Sequence, residues 1–145
     1  MLNFGLIHPT LIGALAGAGH GSQVLVADGN YPHSTGANPS ATRIYLNLAP
    51  GLLDVDDVLK VLVGAIPIES ATVMLPEDRS EPVAVSGYRR ALDATLTWNE
   101  LGRQEFYAAA RTRDVAIVIA TGDQRHYANL LLTIGVRPDA SVIAS

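Results

Sequence analysis

The chain has 145 residues, a length that suits one domain, and a net charge of −4 from 14 acidic and 10 basic side chains. The basic residues gather into no stripe, which argues against a partner recognised through a phosphate backbone. Cysteine is absent, so disulfides, thiolate metal sites and a thiol nucleophile are excluded.

Hydrophobic residues make up 48% of the chain and charged ones only 17%. Such sparse charge points either to surface covered by partner subunits or to a large core. No apolar stretch reaches the ~20 residues that span a bilayer. The opening Met1-Leu2-Asn3-Phe4-Gly5 lacks the basic and long apolar regions of a signal peptide. The expectation is a soluble cytoplasmic protein with no membrane partner.

In chain order, His8-Pro9 opens a short helix with Leu11, Ile12 and Leu15 as its apolar stripe, and Gly17 and Gly19 stop it. Residues 23–27 form a β-branched apolar run, as in a strand buried on both faces. Residues 29–36 are a loop by composition, and 42–48 alternate as a strand does before Pro50-Gly51. Asp54 resembles an N-cap with Asp57 three positions on, ahead of the stripe Val58, Leu59, Leu62, Val63 and Ile66; Pro67 closes that helix. Residues 71–75 read as a strand and 76–82 as an exposed loop. A helix over 83–92, a strand over 95–98 and an alanine-rich helix over 104–112 follow. Residues 115–120 are a buried strand ended by Thr121-Gly122-Asp123. The apolar run 128–134 suits strand or helix, and the α/β alternation favours strand. The prediction is one domain over residues 1–145: three layers, with a mostly parallel sheet of about six strands between helices.

Several residues could carry chemistry. His20, flanked by Gly19 and Gly21, lies on a turn where its imidazole is reachable, and imidazole exchanges protons near neutrality. Its plain alternative is a loop histidine at a helix C-terminus. Asp28 ends the first strand, where open α/β sheets place ligands, and its carboxylate can orient a histidine or bind a hydroxyl-rich ligand; its plain alternative is an Asx turn. Tyr127 and Asn129 fall on alternating positions, so a strand would point both at one ligand, and neutral groups of this kind suit sugar hydroxyls; equally, the two can satisfy loop backbone groups. Arg103 precedes the helix carrying Phe106 and Tyr107; it can hold sugar oxygens or stay solvated. Trp98 offers a stacking face but reads better as core. His8, His33 and His126 have no metal-ligand spacing and read as loop or capping residues. Gly17-Ala18-Gly19-His20-Gly21 precedes a strand instead of joining strand to helix, so it is no dinucleotide fingerprint.

Together these pieces resemble the D-ribose pyranase and L-fucose mutarotase family. The matching stretches are Gly19-His20-Gly21 with Val24-Leu25-Val26-Ala27-Asp28 and Pro32, then Tyr88-Arg89-Arg90-Ala91-Leu92 and Phe106-Tyr107. Val118-Ile119-Ala120-Thr121-Gly122, Tyr127-Ala128-Asn129-Leu130-Leu131-Leu132 and Gly135-Val136 complete an ordered set over nearly the whole chain. The resemblance implies an isomerase that interconverts sugar anomers or ring forms without cofactor or metal. It assigns acid/base chemistry to His20 and sugar binding to Asp28 and to residues 127–129. It also implies a homo-oligomer, commonly a decameric ring, with sites near subunit contacts. Arg103 and Gly21 lean toward the L-fucose branch, whereas Gly29-Asn30-Tyr31 departs from the usual alanine after the aspartate, and Tyr31 could alter the pocket. The alternatives are D-ribose pyranase activity and a monosaccharide-binding module without turnover.

Overall fold

In the structure, a computed structural model that describes residues 1–143, one six-stranded sheet runs through the middle of the chain. Its strands are β1 (Gln23–Ala27), β2 (Thr42–Tyr45), β3 (Ile68–Leu75), β4 (Thr97–Gly102), β5 (Val115–Ala120) and β6 (Leu130–Ile134). Their spatial order is β2-β5-β1-β6-β3-β4. All pair in parallel except β6, which runs antiparallel between β1 and β3. The mostly parallel three-layer arrangement expected from the sequence is therefore present, with one reversed strand in its middle.

The strand residues that alternate in and out explain the layers. Val24 and Val26 of β1 face one way with Ile117, Ile119, Leu130, Leu132 and Val73. That face is covered by α1 (Pro9–Gly17), α2 (Val55–Val63) and α3 (Val85–Ala91). Leu25 and Ala27 face the other way with Val118, Leu131 and Met74, under α4 (Arg103–Ala110) and the loop carrying Tyr31, Ala37 and Ala41. Strands covered on both faces carry near-continuous apolar runs, which is what β1, β5 and β6 show. A short α5 (Ala140–Ile143) closes the described chain. No helix among the described residues is long and apolar enough to cross a membrane.

Caps sit where the sequence signals them. His8 accepts from the Leu11 N–H through Nδ1, so it caps α1, and Pro9 takes the first helical position. Asp57 accepts the Asp54 N–H at 2.9 Å at the start of α2. Several boundaries move from those expected: β3 begins at Ile68 rather than residue 71, and α2 ends at Val63 rather than 66. β2 stops at Tyr45 rather than residue 48, and β4 covers Thr97–Gly102 instead of 95–98. β4 is an edge strand with exposed Thr97, Asn99 and Glu100, so its alternation is weak in the sequence.

The reversal of β6 sends the loop 121–129 across the carboxyl end of β1. Thr121 donates twice to the Ala27 carbonyl, through its N–H at 3.0 Å and its hydroxyl at 2.7 Å, and Gly29 N–H donates to the Asp123 carbonyl at 2.8 Å. Gly122 is wedged so closely that a Cβ would lie 2.3 Å from the Leu52 carbonyl and 2.4 Å from that of Ala49. The fully buried Asp123 carboxylate accepts from the Val55 N–H at the start of α2 and from the backbone and guanidinium of Arg125. Arg125 also reaches Asp56. Burial works to raise the Asp123 pKa, but these donors outweigh it and hold the carboxyl below its ordinary value.

Replacing Arg125 with leucine strips the buried Asp123 of its charge partner. The expected cost is about 3 kcal/mol of folding stability at neutral pH, read by urea denaturation. The sign with pH follows from the direction of the shift. A carboxyl held low stabilises above its unfolded pKa and loses that contribution as pH falls through its folded value. The leucine variant lacks that contribution and is relieved when its unpaired carboxylate is neutralised, so its stability deficit relative to the unmodified protein should narrow as pH falls.

Candidate functional site

The crossing places four of the residues singled out in the sequence around one cavity of about 200 Å³: Asp28, Arg103, Tyr127 and Asn129. It lies at the carboxyl ends of β1 and β3 and the amino end of β6, where open α/β sheets bind ligands. The cavity is below the roughly 300–1,000 Å³ typical of drug-sized sites, so it suits a small ligand. Asn30, Tyr31, Met74, Tyr107 and His126 complete its wall.

Asp28 and Asn129 are buried and hold each other's segments in place. The Asp28 N–H donates to Asn129 Oδ1 at 2.8 Å, and the Asn129 side-chain N–H lies 3.9 Å from the Met74 sulfur. In return Asp28 Oδ1 accepts from the N–H groups of Asn30 and Tyr31, both at 3.0 Å, and Oδ2 accepts from Ala128 at 3.2 Å. The Asx turn and the end-of-strand carboxylate are thus one feature. Burial pushes the Asp28 carboxyl above its ordinary pKa, against the pull of the Asn30, Ala128 and Tyr31 N–H donors, and the Asp123 charge adds to the rise.

Tyr127 and Asn129 share the cavity for a different reason from strand alternation. Tyr127 precedes β6 and adopts φ 57°, a left-handed conformation uncommon for a bulky side chain. Strain of this sort clusters at ligand sites. Arg103, exposed at the first position of α4, reaches the rim, and Tyr107 sits one helical turn further on. Tyr31 forms an apolar wall: it is buried against Phe106 and Tyr107, with its hydroxyl donating to the Gly36 carbonyl at 2.6 Å. Burial, foremost, pushes that phenol far above its ordinary pKa, so it does not ionise in the working range. His33 stacks on Tyr31, and its Nε2 lies 2.7 Å from the Asp28 carbonyl oxygen, so it supports the loop as a structural residue.

His126, whose sequence context suits a loop or capping residue, also lines the cavity. Only its place between Arg125 and Tyr127, next to a predicted sugar segment, could have signalled it. Trp98 is not at the cavity. It packs against the core from β4 with the Arg89 guanidinium 4.2 Å over its ring.

His20 does not join the other four. It sits on the turn before the amino end of β1, at the edge of the sheet opposite Asp28. Seven residues lie between the two, and β1 alone, five residues long, spans about 13–17 Å. The carboxylate beside the imidazole is Glu69, with Oε2 2.9 Å from Nε2, so Asp28, whose oxygens accept from Asn30, Tyr31 and Ala128, does not orient His20 within one chain.

An α/β sheet with a small cavity of mixed polar and apolar lining over the carboxyl ends of its strands fits the open-sheet class, which places small ligands there. The family model described as "RbsD / FucU transport protein family" matches residues 1–137, and the chain belongs to that family. A D-ribose pyranase from Paracidovorax citrulli is 33% identical over 131 residues, covering 90% of this chain and 95% of the relative. The fucose mutarotase of Streptococcus pneumoniae, solved in complex with L-fucose, superposes with a TM-score of 0.80 at 25% identity, covering 95% of this chain and 100% of that one. Bacillus subtilis RbsD, solved with D-ribose, gives the same TM-score at 24% identity and the same coverages, which speaks for the fold.

The two kinds of cavity residue should separate in stability measurements. Asn129→Ala leaves the buried Asp28 N–H without an acceptor and should cost about 1–3 kcal/mol in urea denaturation. Arg103→Ala, at an exposed rim position, should stay within about 0.5 kcal/mol of the unmodified protein.

Proposed function

We propose that the protein is a monosaccharide mutarotase that interconverts the α and β anomers of L-fucose or a related sugar. The observation that carries this reading is the meeting of Asp28, Arg103, Tyr127 and Asn129 in one small cavity. Hydroxyl-rich ligands need donors and acceptors at several angles, and this set offers a carboxylate, a guanidinium, a phenol and an amide. Met74, Tyr31 and Tyr107 add apolar surface that suits the C–H face or the methyl group of a deoxy sugar.

The reaction requires a base to take the anomeric hydroxyl proton while an acid gives one to the ring oxygen. The bond from C1 to the ring oxygen breaks, the aldehyde turns its face, and the ring closes again. No proton is gained or lost overall, so one imidazole can serve in both directions. We assign that role to His20, with Asp28, Arg103, Tyr127 and Asn129 binding the sugar.

The position of His20 then requires a second copy of the chain. Its imidazole is on the amino edge of the sheet, whereas the cavity is on the carboxyl edge. Docking the amino edge of one protomer against the carboxyl edge of the next brings the two together. Such a contact joins different faces, and repeated around an axis it closes a ring. Exposed apolar side chains at both edges favour burial there: Val136 follows β6 beside His20, and Leu48, Leu52 and Leu53 lie near the Asp28 loop. A ring, decameric by the resemblance stated above, is the proposed assembly.

The second reading is D-ribose pyranase activity, favoured by the name of the 33%-identical relative. Saturation-transfer NMR on L-fucose and on D-ribose separates the two by which sugar exchanges faster. His20→Ala should slow exchange by about 10²–10⁴-fold with the assembly intact; exchange at the unmodified rate would remove His20 from the chemistry. Sugar binding by calorimetry without accelerated exchange would leave a binding module. Co-refolding His20→Ala with Arg103→Ala protomers should restore part of the activity, because mixed contacts pair an intact imidazole with an intact cavity.

A further inference from the structure

Glu69 occupies an unusual backbone position. β3 pairs with β6 as Ile68 with Ile134 and Ser70 with Thr133, so two residues of β3 oppose one of β6 and Glu69 is the extra one. A β-bulge of this kind bends the strand and re-aims a side chain, and bulges are frequent beside active sites. Here the re-aimed side chain is the one that meets His20. Since β6 lies between β1 and β3, imidazole and carboxylate approach from opposite sides and join over the end of β6.

Both backbones are pinned at that end. Gly21 N–H donates to the Ile134 carbonyl and Ile134 N–H to the Ser22 carbonyl, both at 2.9 Å. Gly135 N–H donates to the Pro67 carbonyl, also at 2.9 Å. Gly21 has φ 87°, a left-handed turn that glycine adopts without strain, and this sets the direction in which His20 leaves the chain. Gly135 leaves room for the carboxylate stem, since a Cβ there would come within 3.2 Å of the Glu69 Cβ. The His20 and Glu69 side chains remain 58% and 46% exposed. A contact so open to water adds little to stability. A bulge, two glycines and a fixed turn spent on such a pair call for another use.

We propose that Glu69 is the positioning residue for His20: it accepts the Nε2 proton, so that Nδ1 is the nitrogen presented to the sugar of a neighbouring protomer. This rests on the acid/base role assigned to His20 above. A carboxylate can only accept, so the neutral imidazole facing it carries its proton on Nε2 and its lone pair on Nδ1. Fixing the tautomer and plane of a general base through its second nitrogen is how an orienting carboxylate assists proton transfer. Glu69 itself touches no sugar.

The test uses full-length protein in its native assembly, with Glu69→Ala and Glu69→Gln variants, and both sites are exposed enough to leave folding intact. Magic-angle-spinning NMR of 15N-histidine protein, with the His20 signal identified by its loss in His20→Ala, should show the Nε2–H neutral tautomer. Glu69→Ala should give mixed tautomers and a turnover about 10–100-fold lower, the scale on which supporting partners act, with KM unchanged. Glu69→Gln, which keeps an acceptor oxygen, should recover part of both. A proton on Nδ1 in the unmodified protein, or unchanged tautomer and turnover in Glu69→Ala, overturns the proposal. Full anomer exchange in His20→Ala would instead sink the acid/base reading of His20, whatever the tautomer; the two failures are therefore distinguishable.

Discussion

The exchange of hydrogen bonds between Asp28 and the segment 128–129 is what the rest of the cavity depends on. Parallel strands end at one edge of a sheet and would leave the β1 terminus open there. By returning antiparallel beside β1, β6 brings its own first residues back over that terminus. Asp28 then ties the two ends together in both directions: its backbone N–H donates to the Asn129 amide oxygen, and its carboxylate accepts the Ala128 N–H. Buried polar groups of this type are costly unless satisfied, and here each has a named partner. The cavity wall is a by-product of satisfying them.

A second tie works from the other side. Asp123, Arg125 and Asp56 fasten the same crossing loop to the start of α2, while Tyr88 from α3 donates its hydroxyl to the Ala128 carbonyl at 2.6 Å. The loop is therefore anchored on β1, α2 and α3. Such anchoring is what lets Tyr127 persist in a left-handed conformation, since strain survives only where surrounding structure over-determines it. Rigid support beneath a ligand-facing loop also keeps side chains in productive geometry.

Much of this was legible in the residues, and the exceptions share a cause. The runs 23–27 and 115–120 and the aspartate cap at 54 are local signals, and the structure keeps them. The cavity members Asp28, Arg103, Tyr127 and Asn129 were also found, though Tyr127 arrives by a turn and not by strand alternation. What stayed hidden depends on contacts far apart in sequence. The antiparallel direction of β6 leaves no trace in Leu130–Ile134, because a strand buried on both faces reads alike in either direction. The bulge at Glu69 is a two-against-one count between β3 and β6, which no single segment contains. His126 carries no spacing signal, since it becomes a wall residue only when the loop folds over β1. The exposed edge strand β4 begins two residues later and ends four residues later than the expected 95–98, because its outward side chains blur the period.

The same bonds that build the cavity also restrict what its carboxylate can do. Both oxygens of Asp28 already accept backbone N–H groups, three in all, so its lone pairs are largely committed. A carboxylate used in this way is fixed in place and well suited to receive a sugar hydroxyl, but it cannot swing to collect a proton and release it elsewhere. His20 has the opposite character: it is solvent-reachable, on a glycine-flanked turn, with one side-chain partner among the described residues, at one ring nitrogen. In the proposed arrangement the fold divides the work between its two edges, rigid recognition at the carboxyl ends of the strands and proton transfer at the amino ends. A monomer holding both halves on opposite sides could bind a sugar without turning it over. Assembly would then be a condition of catalysis, since only the contact between copies brings an uncommitted imidazole nitrogen to a sugar already held in place.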